Sequence, residues 1–277
     1  MCWGLLGATM NNGSKYWSDL STRDFEQCAI EDYLIVMPIG ATEQHGPHLP
    51  LSVDCLIVQE IVRLALNLLQ KDTPVLVLPT QKVGLSTEHQ SFKGTLTHSP
   101  ELVIKTWMEL GDCLARTGVK KLLLFNAHGG HQGLIDIVAR ELRAKHNILV
   151  YSSSWYQLPI EKGVEELFDP EEHRFGIHAG AVETSMVMAM HPELVDTAAF
   201  QNFGSTAKER SKKYPILGNS KSAKLGWMIQ DYNESGAVGD LSQASAAKGQ
   251  ALLDNASVSL SRLILELLSL PLDTLKA

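Results

Sequence analysis

The sequence lacks the features that mark several protein classes. Its longest apolar stretches, 34–40 and 75–79, are far shorter than the ~18 residues of a membrane-spanning helix. The apolar segment 1–10 has no basic residue before it and no convincing cleavage site after it, so we expect no signal peptide and a cytoplasmic protein. Lys and Arg number 24 against 31 Asp and Glu, a net charge of −7, and no basic run occurs. Membrane and nucleic-acid partners are therefore disfavoured, because phosphate binding needs a basic surface.

Cysteine is also scarce. Cys2, Cys28, Cys55 and Cys113 lie far apart and form no Cys-x-x-Cys pair, so we expect reduced, mostly buried thiols and no disulfide framework. The composition, 44% apolar and 20% charged, is typical of a globular protein large enough for a sizeable core. No repeat, low-complexity tract or linker divides the sequence, so we expect one domain over 1–277.

Short apolar runs alternate with longer helical patterns. The runs predict strands over 34–39, 75–79, 121–125 and 148–152. The patterns predict helices over 54–70, 100–117, 133–145, 180–190 and 247–270, the second of them with Ser99 as N-cap and Gly118 as C-cap. The segments 155–176 and 197–242 show little periodicity and are expected to be loops. This alternation predicts an α/β fold with a mainly parallel sheet and a functional crevice at the carboxyl ends of its strands.

Polar side chains follow the first predicted strand, in the run GATEQHGPHLPLSVD. Glu43 and His45 are two residues apart, so in an extended chain both point to one face. Asp54 would begin the next helix at the same end of the sheet. Two carboxylates and an imidazole are suitable ligands for a hard or borderline divalent metal. The alternative is a loop in which these side chains only cap backbone groups.

Two further clusters lie later in the chain. His128 follows the third strand in the run NAHGGH, where two glycines let the backbone turn tightly. His128 is either a ligand or a core histidine bonded to a neighbour. Glu183 lies among apolar residues in HAGAVETS, and a buried carboxylate there needs a partner, either a metal or a basic side chain. His178 is five residues before Glu183, so the two do not share a helix face and are expected to have separate roles.

Together, GATEQHGPHLPLSVD, NAHGGH and HAGAVETS resemble the creatininase family of metal-dependent amidohydrolases. The runs GLSTEH, FKGT and GAVGD are similar to further motifs of that family, and the likeness covers about residues 30–250. The resemblance implies a three-layer α/β/α fold with a mainly parallel central sheet. It also implies two divalent ions per subunit (Zn, Mn or Fe) and a homohexamer built as a trimer of dimers.

The resemblance assigns five residues to the ions, in two groups that share a bridging carboxylate. One group is Glu43, Asp54 and His128, and the other is His45, Asp54 and Glu183. Two ions about 3.5 to 4 Å apart would activate a water as a bridging hydroxide and polarise the substrate carbonyl. The implied activity is hydrolysis of a C–N bond in a cyclic or small linear amide.

Three other positions are expected to meet the substrate. His178 resembles the family's catalytic histidine, which is not a ligand and either moves a proton or orients the substrate. Ser86 resembles a substrate-side residue, and Trp155 is a candidate wall of the pocket.

The chain departs from creatininase proper at two places. Gly129 and Gly130 stand where creatininase has an aromatic residue and a second carboxylate ligand, and Arg174 and Phe175 replace a Trp-Asp pair. Relatives with the glycine turn include formamide deformylases and peptide-processing hydrolases of cofactor biosynthesis, which are alternative functions. A two-metal phosphoesterase is a further alternative, with Lys93 and Arg174 as the candidate phosphate contacts. A non-catalytic metal-binding oligomer is the last alternative function.

Other histidines have less specific surroundings. We expect His48, which follows a proline, to shape its loop and not to bind metal. His89 and His98 are equally suited to structural and substrate-facing roles, and His131 is suited to capping the helix after it.

Overall fold

The computed structural model describes residues 13–219 and 221–276, with a parallel four-stranded sheet at the centre. The strand order is β2-β1-β3-β4, and the strands are β1 Leu34–Ile39, β2 Val75–Val77, β3 Lys121–Asn126 and β4 Leu149–Ser154. Leu34 pairs with Val75 on one side and with Lys121 on the other. The predicted strands are therefore confirmed, with ends that differ by at most two residues.

Helices account for most of the remaining regular structure. In chain order they are α1 Thr22–Gln27, α2 Val53–Leu68, α3 Pro100–Thr117, α4 Gln132–His146, α5 Lys162–Glu165, α6 Pro170–Phe175, α7 Ala181–Met190, α8 Thr206–Lys213 and α9 Ala246–Ser269. The predicted boundaries of α3 are confirmed: the Ser99 hydroxyl accepts a hydrogen bond from the Leu102 N–H, and Gly118 ends the helix at φ 101°. None of the helices in the described part of the chain is long and apolar enough to cross a membrane.

Alternate strand residues enter two separate apolar cores. Val36 and Phe125 belong to one core, which α2, α7 and α9 cover. Ile35 and Leu124 belong to the other, beneath α3 and α4. Both faces of every central strand are thus buried, which explains why the strands are continuous apolar runs. The predicted three-layer α/β/α arrangement is confirmed.

The two segments expected to be loops contain short helices. The helices α5 and α6 lie within 155–176, and α8 lies within 197–242 together with the short antiparallel strands β5 Asn202–Phe203 and β6 Gly239–Asp240. Helix α8 has no buried residue. Hydrophobic periodicity cannot reveal such a helix, because the method depends on a face that packs against a core.

The cysteine expectation is only partly met. Cys28, Cys55 and Cys113 are free thiols, but only Cys55 is buried, and Cys113 is exposed. Cys2 lies outside the described residues. The prediction that the thiols are mostly buried is therefore wrong for these three, because Cys28, just after α1, is only partly buried against one core and Cys113 is exposed on α3.

Two contacts fix the long helix α9 against the rest of the molecule. Gly249 meets α7 so closely that a Cβ at this position would overlap the backbone of Ser185. At the other end of α9, the Lys121 amine donates hydrogen bonds to the carbonyl oxygens of Leu267 and Leu268, at 2.9 and 2.7 Å. The first β3 residue is thereby tied to the last turn of α9.

Candidate metal centre

The loop after β1 carries the first candidate ligands and touches the start of α2. A Cβ at Gly40 would lie 2.9 Å from the Cys55 backbone, so glycine is needed for this approach. Glu43 and His45 lie in the loop, and Asp54 lies in the first turn of α2. All three side chains are buried. The approach therefore gathers two carboxylates and an imidazole at the carboxyl end of the sheet.

His128 and Glu183 reach the same place from other elements. His128 follows β3, and Glu183 lies in the first turn of α7. Ligand atoms of Glu43, Asp54 and His128 lie within 4.8 Å of one another, and so do those of His45, Asp54 and Glu183. The fold thus brings together both predicted trios, with Asp54 in each. We call these five residues the candidate metal centre.

Backbone carbonyls orient both histidines of this centre. Nδ1 of His45 donates to the Glu43 carbonyl oxygen at 3.0 Å, and Nε2 of His128 donates to the Leu85 carbonyl oxygen at 2.9 Å. A carbonyl can only accept, so in each neutral ring the opposite nitrogen carries the lone pair. Nε2 of His45 and Nδ1 of His128 both lie near Asp54, at 3.9 and 3.7 Å from its oxygens. Each ring therefore presents the nitrogen that could bind a metal to the shared carboxylate.

Several buried atoms of the centre make no well-aligned hydrogen bond to the described residues, although Oε1 of Glu43 lies 3.3 Å from Nε2 of His89 and 3.2 Å from Nδ1 of His128. These buried atoms are both carboxylate oxygens of Glu43, Oδ2 of Asp54 and Nε2 of His45. Burying such atoms unpaired is costly, and a cation satisfies carboxylate oxygens and an imidazole lone pair together. The residues present therefore fit a divalent metal.

Burial and neighbouring charges shift the pKa values of the ionisable groups in the candidate metal centre. Burial lowers the pKa of His45 to about 3, so this ring is neutral at neutral pH, as a ligand must be. Burial and the neighbouring Glu43 raise the pKa of Asp54. Although burial opposes it, Glu43 and the other carboxylates raise the pKa of His128 to about 10. Without metal, a proton on His128 supplies the positive charge that these carboxylates require.

His178 lies at the edge of the centre. Its Nε2 donates to the Gln44 carbonyl oxygen at 2.8 Å, which leaves Nδ1 unprotonated in the neutral ring, 3.9 Å from Oε1 of Glu43. Ala179, next in the chain, has a φ of 52°, a strained conformation for a residue other than glycine. His178 also forms a possible ligand group with Glu43 and His45. Geometry alone thus allows two roles, proton transfer and ligation.

Gln44 connects this region to His89, a contact that sequence reasoning missed. Its side-chain oxygen accepts from the Gly46 N–H at 2.9 Å, and its amide nitrogen donates to the Gly236 carbonyl oxygen and to Nδ1 of His89, both at 2.8 Å. Nε2 of His89 therefore carries the proton and lies 3.3 Å from Oε1 of Glu43. The motifs contain these residues, but nothing in their spacing links positions so far apart.

His131 and His48 have protein partners instead. Nε2 of His131 accepts from the Leu85 N–H at 3.0 Å, and Nδ1 lies 3.1 Å from the Asn126 side-chain oxygen. Nε2 of His48 lies 2.9 Å from the Thr184 hydroxyl. Neither belongs to a candidate metal group among the described residues.

A cavity of about 530 Å³ opens beside the centre and is lined by Glu43, Asp54, His128, His178, Glu183 and Trp155, among others. The Trp155 indole N–H is buried without a partner in the described structure. Ser86 is fully buried, its hydroxyl has no partner there, and it does not line this cavity. Of the two predicted substrate-side residues, the fold therefore brings Trp155 to the cavity.

Comparison with known proteins gives consistent matches over most of the chain. A family model described as creatinine amidohydrolase matches residues 18–264. Mycofactocin precursor peptide peptidase of Mycobacterium tuberculosis is 30% identical over 224 residues, 79% of each chain. Creatinine amidohydrolase of Pseudomonas putida is 27% identical over 197 residues, 66% of this chain and 74% of that protein.

The fold matches solved structures as well. A crystal structure of creatininase superposes with a TM-score of 0.73 at 23% identity, covering 93% of this chain and 99% of that one. At this identity the likeness to a solved structure shows the fold alone. Membership of the family rests on the family model, which matches residues 18–264. The resemblance predicted from the three motifs is confirmed: the chain belongs to the creatininase family, whose members are amidohydrolases acting on C–N bonds.

Proposed function

We propose that the protein is an amidohydrolase that uses two divalent ions, held by the candidate metal centre. The observation that carries this proposal is the pair of trios that share Asp54, in which Oδ2 of Asp54 and Oε2 of Glu43 are buried without a hydrogen-bond partner among the described residues. Carboxylate and imidazole donors suit Zn, Mn or Fe. Among solved creatininases, one is a Zn–Zn form and another a Mn form.

Two bound ions would supply an activated water and polarise the substrate carbonyl. Nδ1 of His178, the nitrogen left unprotonated by the bond to Gln44, accepts a proton from the attacking water as the new C–O bond forms. It passes that proton to the leaving nitrogen as the C–N bond breaks. One amide and one water thus give a carboxylic acid and an amine.

The substrate class follows in part from the relatives. A cyclic or small linear amide is the first candidate, because a relative is named creatinine amidohydrolase. A peptide is the second, because another relative is named a precursor peptide peptidase and the cavity is roomy. Formamides are a third class to assay.

A phosphoester substrate is disfavoured. Lys93 is exposed, and Arg174, also exposed, donates to the Gly218 carbonyl oxygen. Lys93 and Arg174 do not line the cavity, and no other Lys or Arg among the described residues does. Phosphoryl transfer needs such cations beside the metals.

The test combines metal counting with turnover. Protein stripped of metal and reconstituted with Mn²⁺ or Zn²⁺ is assayed on creatinine, formamides and short peptides. We expect two ions per chain and hydrolysis of at least one amide. His178→Ala should keep both ions and lose turnover at least 100-fold. Loss of one ion would make His178 a ligand, and a wild-type protein that binds no metal would overturn the proposal.

We also propose that the chain works in the cytoplasm as a homohexamer, a trimer of dimers, and as a single domain. The family resemblance supports the assembly. Large exposed apolar side chains, such as Ile216 and Leu217, are suited to contacts between subunits. Light scattering coupled to size-exclusion chromatography should give a mass near six times 30.4 kDa, whereas a monomer mass would contradict the assembly.

A further inference from the structure

Six large apolar side chains line the cavity beside the candidate metal centre, and we call them the apolar wall. They are Trp155, Leu158, Ile160, Ile177, Val182 and Leu252, of which Trp155, Leu158, Val182 and Leu252 also belong to or pack against one apolar core. A volume of about 530 Å³ lies within the range of roughly 300–1,000 Å³ that accommodates drug-sized ligands. A single small ring such as creatinine would leave much of this space unfilled.

Two polar side chains that line the same cavity, Asn255 and His173, are occupied within the protein. Asn255 donates to the Pro159 carbonyl oxygen and accepts from the Glu161 N–H, both at 3.0 Å. Nε2 of His173 donates to the Glu165 carbonyl oxygen at 2.8 Å. These groups are therefore not free to bind a polar or anionic substrate arm.

The wall also has a fixed position relative to the site of reaction. Ile177 immediately precedes His178, and Val182 immediately precedes Glu183. An arm of the substrate lying on this wall would be held beside the scissile amide.

We propose that this wall binds an aromatic or branched aliphatic side chain next to the scissile bond, so that the substrate is a peptide-like amide with an uncharged apolar residue. The inference rests on the proposed amidohydrolase function and narrows its substrate class. Burial of such a side chain should improve kcat/KM by roughly 10- to 200-fold over a substrate that lacks it.

Two measurements test whether the wall binds an apolar side chain of the substrate. Hydrolysis of N-acetyl-Phe-Gly-amide and N-acetyl-Gly-Phe-amide is compared with that of N-acetyl-Gly-Gly-amide and creatinine. Calorimetric binding of N-acetylphenylalaninamide is compared with that of N-acetylglycinamide, which requires no turnover. We expect a Phe compound to be preferred in both. Equal affinity for the two amides, or equal kcat/KM across the panel, would overturn the inference.

A matched pair of variants locates the effect. Ile177 and Ile137 are each 46% exposed, but only Ile177 lines the cavity. Ile177→Asn should reduce the preference for Phe at least 10-fold, and Ile137→Asn should leave it unchanged. Equal effects of the two variants would contradict the proposal that the wall binds the apolar side chain of the substrate. If no amide is hydrolysed, the result counts against the proposed function. The comparison of binding affinities would still show whether the wall prefers an apolar side chain.

A second inference concerns the glycine turn at His128. A Cβ at Gly130 would overlap Oε1 of Glu88 and lie 2.5 Å from Nε2 of His128. The Glu88 carboxylate thus occupies the space that a side chain at position 130 would take. Its Oε1 lies 3.4 Å from Nε2 of His128, and its side chain is only 12% exposed.

This carboxylate lies behind His128 as seen from the centre. Nε2 of His128 donates to the Leu85 carbonyl oxygen, with Glu88 close to the same nitrogen, while Nδ1 faces Asp54. A carboxylate on the outer nitrogen of a ligating histidine fixes the ring and increases its basicity.

We infer that Glu88 is a positioning residue for His128 and that Gly130 is required to admit it. The inference depends on the ligand role of His128 under the proposed function. Glu88 thus acts on the centre through His128 and is not itself one of the five candidate ligands.

Metal affinity tests this role without any substrate. Chelator competition should show Glu88→Ala binding one of its two ions about 10- to 100-fold more weakly, with Glu88→Gln between it and wild type. Glu26→Ala, which removes an exposed carboxylate, is the control and should be unchanged. Wild-type affinity in Glu88→Ala would overturn the inference, whereas a wild-type protein without metal would overturn the proposed function.

The turn provides a second pair of variants. Gly130→Ala should weaken metal binding by at least as much as Glu88→Ala, because the new side chain displaces both Glu88 and His128. Gly133→Ala, at a position with no heavy atom within 4 Å of the added carbon, should bind metal as wild type does. Unchanged affinity in Gly130→Ala would contradict the requirement for glycine.

Discussion

Lys121 is a charged side chain inside the structure, and its partners explain how it is accommodated. Its amine donates to the carbonyl oxygens of Leu267, Leu268 and Leu270, the last at 2.6 Å. Carbonyl groups in the last turn of a helix lack partners within the helix and carry a partial negative charge. Burial lowers the pKa of Lys121, and the negative charge of Asp32 opposes this shift.

Replacing this amine should destabilise the fold. Lys121→Met leaves the carbonyl groups at the end of α9 without their donor, so we expect the free energy of unfolding to fall by roughly 1–3 kcal/mol in urea denaturation. Lys120→Met, at the exposed neighbouring position, should change it by less than about 0.5 kcal/mol. Equal losses in both variants would contradict a specific role for Lys121.

Residues within motifs were predictable when the motif itself carried the chemistry. Glu43, His45 and Asp54 follow one strand, and the fold brings them together as the run GATEQHGPHLPLSVD indicates. Gln44 and Glu88 lie in quoted motifs too, yet their roles depend on contacts with residues far along the chain. Local sequence carries no signal for such contacts.

The packing of α7 against α9 depends on one glycine. Gly249 is buried in α9 against the backbone of Ser185, where any side chain would force the helices apart. Backbone atoms cannot move aside as the end of a flexible side chain can, so the overlap would be relieved only by shifting a helix.

Gly249→Ala should therefore lower the free energy of unfolding by roughly 1–3 kcal/mol, through overpacking. Gly133→Ala in α4 meets no neighbouring atom, and it should raise stability by up to about 1 kcal/mol because alanine favours the helix. Thermal unfolding of both variants checks the difference in sign. A stabilised Gly249→Ala would show that the two helices are not held in this contact.

Elements were predictable where burial leaves a hydrophobic pattern. The strands β1, β2 and β3 are buried along their whole length and were found as apolar runs. The strand β4 was found from its apolar start although its middle residues are exposed, and α9 was found from its Ala and Leu content. Helix α8 is charged and buries no residue, so its pattern could not distinguish it from a loop. Short helices such as α5 have too few residues for periodicity to register.

At the scale of the whole molecule, bound ions should contribute to stability. Under the proposed function the ions bind the folded chain and not the unfolded one, so each site adds about 2.7 kcal/mol when free metal is 100-fold above its Kd. We expect a chelator to lower the melting temperature by roughly 5–10 °C per site, measured by scanning calorimetry. Zn²⁺ or Mn²⁺ should restore it.

Asp54→Asn provides the control, since Asp54 belongs to both trios. This variant should show little change in melting temperature on adding or removing metal. If the chelator leaves the melting temperature of the wild-type protein unchanged, that result would contradict metal binding at this centre.

The architecture of the whole molecule was predictable because alternating strand and helix patterns restrict it to few arrangements. The family was predictable from three short motifs. The substrate was not, because the cavity wall comes from separate segments that carry no common pattern, among them Trp155, Ile177 and Leu252.

The spread of the candidate ligands along the chain has a consequence for how the protein acquires its ions. Glu43, His45 and Asp54 come from one segment, but His128 and Glu183 are made much later. A nascent chain on the ribosome therefore has neither complete ligand set until α3 and β3 have been made, and lacks the second until α7 emerges. Under the proposed function, we therefore expect tight binding of both ions only after the chain has folded, with the cavity beside the centre as their way in. A cell short of metal would then accumulate folded, empty protein that can be loaded without refolding.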